Sequence, residues 1–215
     1  MYMDITLPPI LRLPDDVWES ISSASGWCWR EKAELIYTLT SSPNVRAGVE
    51  IGVFGGRSLL PMCLGLAKNQ GIAYGYDPYE KHRVYQVDQS YWDKLDYDGL
   101  MHEAMGLLSK YGISTDVLQR KRSLDASLNH PGGIQFLHID GSHYMWDTVL
   151  DLALWTRKLD VGGWLLLDDT NYDAVVDSAV LLKPGGFEYS CTTFNDNPTA
   201  KGEAQLWQKV SAEHQ

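Results

Sequence analysis

The 215-residue chain has no apolar run approaching the roughly 18 uncharged residues that a bilayer-spanning helix requires, so a membrane partner is not expected. Positive charge is scarce: 18 Lys and Arg stand against 28 Asp and Glu, for a formal net charge of -10. Binding a phosphate backbone takes clustered cations that displace counterions, which argues against nucleic acid as a partner. Arg120, Lys121 and Arg122 form a basic cluster too short for that purpose and read as the solvated end of a strand. Cysteine is sparse as well. Cys28, Cys63 and Cys191 lie far apart without a C-x-x-C pair, which suits neither a disulfide framework nor a zinc site, and Cys63 within LLPMCLGL reads as core. The opening MYMDITLPPILRLPDD has no basic stretch followed by an apolar run and a small-residue cleavage site, so a cytoplasmic location is expected. Internal repeats and low-complexity tracts are also missing. What is present, 44% hydrophobic and 21% charged residues over a length suited to one core, is the composition of a globular domain spanning 1–215.

Apolar runs bounded by glycine alternate with longer stretches of helical period, which is the sequence form of βαβ units around a parallel sheet. The expected strands are Val45 to Ile51, Ile72 to Tyr76, Ser114 to Gln119, Ile134 to Ile139 and Gly163 to Leu167. Two weaker ones come after them, Glu188 to Thr193 and Ala204 to Lys209. The polar stretch Phe194 to Gly202, with Asn195, Asn197 and Pro198, would join those two as an antiparallel hairpin with a long loop. Ser58 to Lys68 and Asp147 to Leu159 read as amphipathic helices covering the sheet, and Arg30 to Thr40 as a helix within an N-terminal cap over residues 1–44. Tyr79 to Tyr111, carrying Tyr79, Tyr85, Tyr91, Trp92 and Tyr97, exceeds the length of a simple crossover. It is either an inserted substrate cap or a crossover helix with a long lead-in.

Three motifs carry chemistry. In Val49-Glu50-Ile51-Gly52-Val53-Phe54-Gly55-Gly56-Arg57-Ser58 an apolar strand enters a glycine-rich turn and then a helix, whose first N–H groups receive anionic groups, with Ser58 adding a hydroxyl. The G-x-G-x-x-G spacing of dinucleotide folds is missing, and Glu50 would repel a pyrophosphate while attracting the ammonium of an amino-acid ligand. That combination favours S-adenosylmethionine. Asp77 ends the second strand one βα unit later, where a carboxylate accepts ribose hydroxyls, although an acid before Pro78 also makes an ordinary turn. Finally, Asp140 ends one strand, and Asp168 with Asp169 ends the next. Singly, each is equally a helix cap or a backbone acceptor. Together, three carboxylates beyond the ends of adjacent strands repel one another unless a hard cation neutralises them, and Mg²⁺ is the expected ion.

Asp140 with His143 close behind it, and then the Asp168-Asp169 pair, resembles the metal-dependent catechol and caffeoyl-CoA type O-methyltransferases. The string HIDGSHYMWDTVLDLALWTRKLDVGGWLLLDD is closer still to bacterial small-molecule methyltransferases of the macrocin O-methyltransferase and cephalosporin-hydroxylase-like group. The similarity runs from about Trp27 to Asn171. It is specific in the three motifs and weak over Tyr79 to Tyr111 and beyond Asn171. It implies an α/β, Rossmann-like class I methyltransferase fold: a mostly parallel seven-stranded sheet with an antiparallel C-terminal strand and helices on both faces. It further implies that Glu50, Gly52, Phe54, Gly55 and Ser58 receive the methionine end of S-adenosylmethionine, that Asp77 holds the ribose, and that Ser123 and Leu124 edge the adenine. Asp140, Asp168 and Asp169 would hold Mg²⁺, with Asp140 also touching the cofactor. The catechol-type enzymes carry Lys where this chain has His143 and Asn where it has Asp169, so the base and the charge of the metal site differ from theirs.

These features point to methyl transfer to a hydroxyl of a phenolic or sugar-containing small molecule. Proximity and proton removal dominate such a reaction, with Mg²⁺ and Asp140 at the acceptor and His143 as the base. His143 reads equally as a residue that orients Asp140 or contacts the cofactor. A metal-dependent hydrolase built on Asp140, His143, Asp168 and Asp169 explains the acids but leaves Glu50, the glycine loop and Asp77 without a role. A metal-independent methyltransferase is the other alternative. Trp27 and Trp29 cover the cofactor, pack in the core or form a homodimer contact.

Overall fold

The computed structural model describes residues 6–81, 89–195 and 202–212. Tyr85, Asn197 and Pro198 lie outside the described residues. In chain order the elements are α1 (Asp15–Ser23), α2 (Arg30–Thr40), β1 (Ala47–Ile51), α3 (Leu59–Ala67), β2 (Ile72–Asp77), α4 (Gln89–Asp93), α5 (Tyr97–Lys110), β3 (Leu118–Arg120), α6 (Ser123–Asn129), β4 (Ile134–Ile139), α7 (Met145–Trp155), β5 (Leu159–Leu167), α8 (Asp173–Ser178), β6 (Phe187–Phe194) and β7 (Glu203–Lys209). One seven-stranded sheet runs in the order β3-β2-β1-β4-β5-β7-β6. Pairings from β3 through β5 are parallel, and β7 lies antiparallel to both β5 and β6. β1 therefore has β2 on one side and β4 on the other, and the crossovers leave it in opposite directions. That switch point opens a crevice beyond the carboxyl ends of the strands.

Two cores hold the helices to the sheet. Ile36 and Leu39 of α2, Leu59, Leu60 and Met62 of α3, and Leu108 of α5 pack with Phe136 and Leu166 on one face. Leu152 and Trp155 of α7 and Val175 of α8 pack with Val49, Ile51, Leu137, Ile139, Leu165 and Leu167 on the other. Each such burial stabilises by about 1.5–3 kcal/mol before conformational entropy is subtracted. Because side chains alternate between the two faces of a strand, these apolar anchors also fix where the polar residues point. Two residues beyond Phe136 comes His138, and two beyond Leu166 comes Asp168. Both therefore lie on the face covered by α2, and Glu50, the register partner of His138, sits beside them.

The third strand is shorter than the expected Ser114 to Gln119. The Ser114 hydroxyl accepts from the Asp116 N–H at 3.2 Å, which closes a tight turn over Thr115–Val117 and delays the strand to Leu118. The helix expected over Asp147 to Leu159 starts earlier, at Met145, and tightens over Thr156–Lys158 so that Leu159 already belongs to β5. Within residues 79–111, α5 buries Leu100, Ala104, Leu107 and Leu108 and serves as the crossover from β2 to β3. α4 buries nothing and carries Tyr91 and Trp92. Among the described residues no helix is long and apolar enough to cross a membrane.

Candidate active site

The glycine loop is shaped by close backbone approach. Gly52 has φ +86°, and a Cβ there would lie 1.8 Å from the Asp140 carbonyl oxygen, so the ends of β1 and β4 touch main chain to main chain. A Cβ on Gly55 would lie 2.2 Å from the Ser25 carbonyl oxygen, which straps the α1–α2 connection across the loop. Phe54 and Tyr79 adopt φ of +51° and +44°, conformations that cost about 1–3 kcal/mol each. Asp77 offsets that cost. Its Oδ2 accepts from the Val53 and Phe54 N–H groups at 3.0 Å each, and its Oδ1 accepts from the Tyr79 N–H at 2.7 Å. The Tyr79 hydroxyl donates to the Phe54 carbonyl at 2.8 Å.

Beneath the loop runs a buried chain of charges. The fully buried Glu50 accepts from the Ser58 hydroxyl through Oε1, and the same oxygen faces His138 Nδ1 at 2.8 Å. His138 Nε2 lies 3.4 Å from Asp168 Oδ2 and 3.9 Å from Asp140 Oδ2. Lys32, brought in by α2 and 1% exposed, bonds Asp168 Oδ2, stands 3.7 Å from Asp140 Oδ2, and lies 4.7 Å from the centre of the Trp29 ring. Burial opposes every charge here, yet the bonds prevail for three of these groups. The carboxylates Asp168 and Asp140 hold Lys32 well above the usual lysine range. The neighbouring Asp168 and Glu50 carboxylates lift His138 to about 9. The Lys32 charge, with His138, draws Asp168 well below the usual carboxylate range. Asp140 goes the other way, raised by burial and by the neighbouring Asp168 charge.

Asp169 does not join this group. It has φ +58°, and its Oδ2 meets His143 Nε2 at 2.6 Å. His143 stacks on Tyr172 with ring centres 4.3 Å apart, and its Nδ1 is buried without a hydrogen-bond partner. The group that converges is instead His138, Asp140 and Asp168, whose ligand atoms lie within 4.8 Å of one another. These residues do not fit Mg²⁺. The Lys32 ammonium already contacts the two carboxylate oxygens that such an ion would take, and the remaining neighbour, His138, offers a nitrogen where a hard cation prefers oxygen.

A cavity of about 1040 Å³ opens at the strand ends. Of the residues expected at the site, Gly52, Phe54, Ser58, Asp77, Ser123, Leu124, Asp140, His143, Asp168 and Asp169 line it. Glu50 and Gly55 are not on its wall: Glu50 is turned under the sheet toward His138, and Gly55 toward Ser25. Ser123 Oγ donates to Asp151 and accepts from Trp155 Nε1 at 2.8 Å. Burial raises Asp151 to about 7, opposed by the Ser123 bond and aided by Asp147. An aromatic rim stands at the mouth, where the Trp27 ring lies 5.7 Å from Phe54, 6.0 Å from Tyr91 and 6.2 Å from Trp92. Trp29, by contrast, donates to Thr193 Oγ1 at 3.1 Å on β6 and forms part of the cavity wall.

Lys32 and His138 had no place among the residues expected here. A signal for Lys32 exists: it shares a helical stripe with Leu35, Ile36 and Leu39, where a charge is buried only with a partner. His138 interrupts an apolar strand directly opposite an acid.

The strand order with its reversed last pair, the glycine turn after β1 and the acid ending β2 together define the Rossmann-like class I methyltransferase fold. Residues 49–170 match a family described as methyltransferase domain, and the chain belongs to that family. Solved structures with the same fold include the O-methyltransferase TomG of Streptomyces achromogenes, from tomaymycin synthesis, in complex with SAM. It is 13% identical with a TM-score of 0.66, over 93% of this chain and 92% of that one. An O-methyltransferase from Bacillus cereus in complex with SAH is 11% identical with a TM-score of 0.64, over 91% and 90%. An rRNA methylase from Streptococcus thermophilus is 14% identical with a TM-score of 0.59, over 85% and 96%. No match was found among curated proteins.

Proposed function

We propose that the chain transfers a methyl group from S-adenosylmethionine to a hydroxyl of a small molecule, without a metal ion. The observation that carries this reading is a single cavity onto which the glycine loop, Asp77, Ser123, Leu124, Asp140 and His143 all open. Two fold relatives that are O-methyltransferases with this cofactor or its product bound support the choice of ligand and acceptor atom.

When bound, S-adenosylmethionine supplies an electrophilic methyl on its sulfonium. Phe54 and Ser58 would flank the methionine end, and Glu50 would act indirectly by fixing the Ser58 hydroxyl. Asp77 would accept from the ribose while it holds the loop, and Ser123 and Leu124 would edge the adenine. The remaining task is to remove the acceptor's proton. With Asp169 accepting from Nε2–H, His143 keeps Nδ1 as a lone-pair site; that nitrogen is buried against Tyr172, so it would take the hydroxyl proton once the acceptor displaces the ring from its stack. The aromatic rim of Trp27, Phe54, Tyr91 and Trp92 suits a planar or ring-bearing acceptor. Trp27, Tyr91 and Trp92 would then cap the cavity. A hydrolase finds no support here, because the acids it would use already neutralise Lys32 and His138 or bind His143.

A thermal-shift titration tests the ligand. At a hundredfold excess over its Kd, S-adenosylhomocysteine should add about 2.7 kcal/mol to the unfolding free energy, with no comparable effect from NADH. Stabilisation by NADH alone would sink the reading.

A further inference from the structure

The pair Asp140 and Asp168, placed where adjacent strands end, is supplied with positive charge by the protein itself. Lys32 Nζ bonds Asp168 Oδ2 and stands 3.7 Å from Asp140 Oδ2, and His138 Nε2 lies 3.4 and 3.9 Å from the same two oxygens. Lys32 is 1% exposed, and its helix is anchored by the buried Leu35, Ile36 and Leu39, so the ammonium has no solvated position to retreat to. The Trp29 ring closes over it at 4.7 Å. We propose that the Lys32 ammonium is the permanent counter-ion of Asp140 and Asp168, so that the site takes no divalent metal and has a fixed ammonium where an ion would sit.

This deepens the methyltransferase reading and rests on it. The substrate consequence is chemical. A divalent ion binds two neighbouring acceptor oxygens at once and so selects vicinal diols or catechols. An ammonium has three N–H donors, here with at least one directed to Asp168, and unlike a divalent ion it imposes no requirement for two neighbouring acceptor oxygens. The acceptor class therefore extends to molecules carrying an isolated hydroxyl.

The test uses Mn²⁺ as a probe, monitored by electron paramagnetic resonance on EDTA-treated wild type, Lys32→Met and Lys32→Ala, with S-adenosylhomocysteine affinity measured by calorimetry in parallel. Wild type should leave Mn²⁺ free in solution. The variants, relieved of one unit charge about 4 Å from the ion, should bind it more tightly by a factor on the order of 100 or more, and Mn²⁺ should raise their Tm. Tight Mn²⁺ binding by wild type that Asp168→Asn abolishes would overturn the proposal, as would a folded Lys32 variant with no gain in Mn²⁺ affinity. If neither variant folds, the wild-type titration decides. Loss of S-adenosylhomocysteine binding in wild type would instead sink the underlying functional reading, so the two failures are distinguishable.

Discussion

At the scale of single residues, the site separates into one pair for proton transfer and one carboxylate for architecture. His143 and Asp169 form the first. His143→Ala should lower kcat by on the order of 10²–10⁴ while leaving S-adenosylhomocysteine affinity nearly unchanged, and Asp169→Asn should act in the same direction by disturbing the tautomer. Equal losses in affinity and turnover would remove the pair from the chemistry. Asp77 is the architectural group, since three backbone N–H groups depend on it. Asp77→Ala should therefore lose both stability, by about 1–3 kcal/mol in urea, and cofactor affinity. A third residue sets a pH dependence. Burial lifts Asp151 from 3.8 to about 7 in the folded protein. Above pH 3.8 the unfolded chain releases this proton while the folded one keeps it, so Asp151 makes stability fall as pH rises toward 7 and adds no further slope above. Asp151→Asn keeps an oxygen for Ser123 and removes that slope. Its Tm relative to wild type should climb between about pH 5 and about pH 7.5. A constant difference would refute the shift.

At the scale of elements, α2 and α3 matter most, because α2 carries Lys32 and α3 leads out of the glycine loop. They meet at Gly65, where an added Cβ would lie 2.0 Å from Thr40 Oγ1 and 2.9 Å from the Tyr37 carbonyl oxygen. Gly65→Ala should force the helices apart, costing about 1–3 kcal/mol in urea denaturation. The sheet is legible in the sequence because buried strands are continuous apolar runs, and Ile134–Ile139 falls where its run does. β3 departs from its pattern at the start, where a serine side chain competes for the backbone. In the site, the glycine turn and the acids at strand ends are legible because strand ends and turns leave local patterns. The partners of those acids are not, since Lys32 lies 136 residues from Asp168 and only the tertiary fold joins them. Asp168 and Asp169 illustrate the same limit. Asp168 continues the strand onto the α2 face while Asp169 turns to φ +58°, so two adjacent acids on the wall of one cavity meet different partners, Lys32 and His143.

At the scale of the whole molecule, an rRNA methylase shares the fold, while the net charge of -10 leaves few cations for a phosphate backbone. Fluorescence anisotropy at low salt should show no association with structured RNA, because few cations are available to release counterions. Binding that weakens steeply with added salt would contradict this. Lys32 has a last consequence. The segment that matches the methyltransferase family begins at residue 49, whereas the cation that balances its acids stands on α2, before that point. Electroneutrality of the core is thus completed by a helix outside the matched segment. A chimaera that keeps this sheet but takes its N-terminal helices from another family member would inherit unbalanced acids, unless the donor helix brings a lysine in the same register.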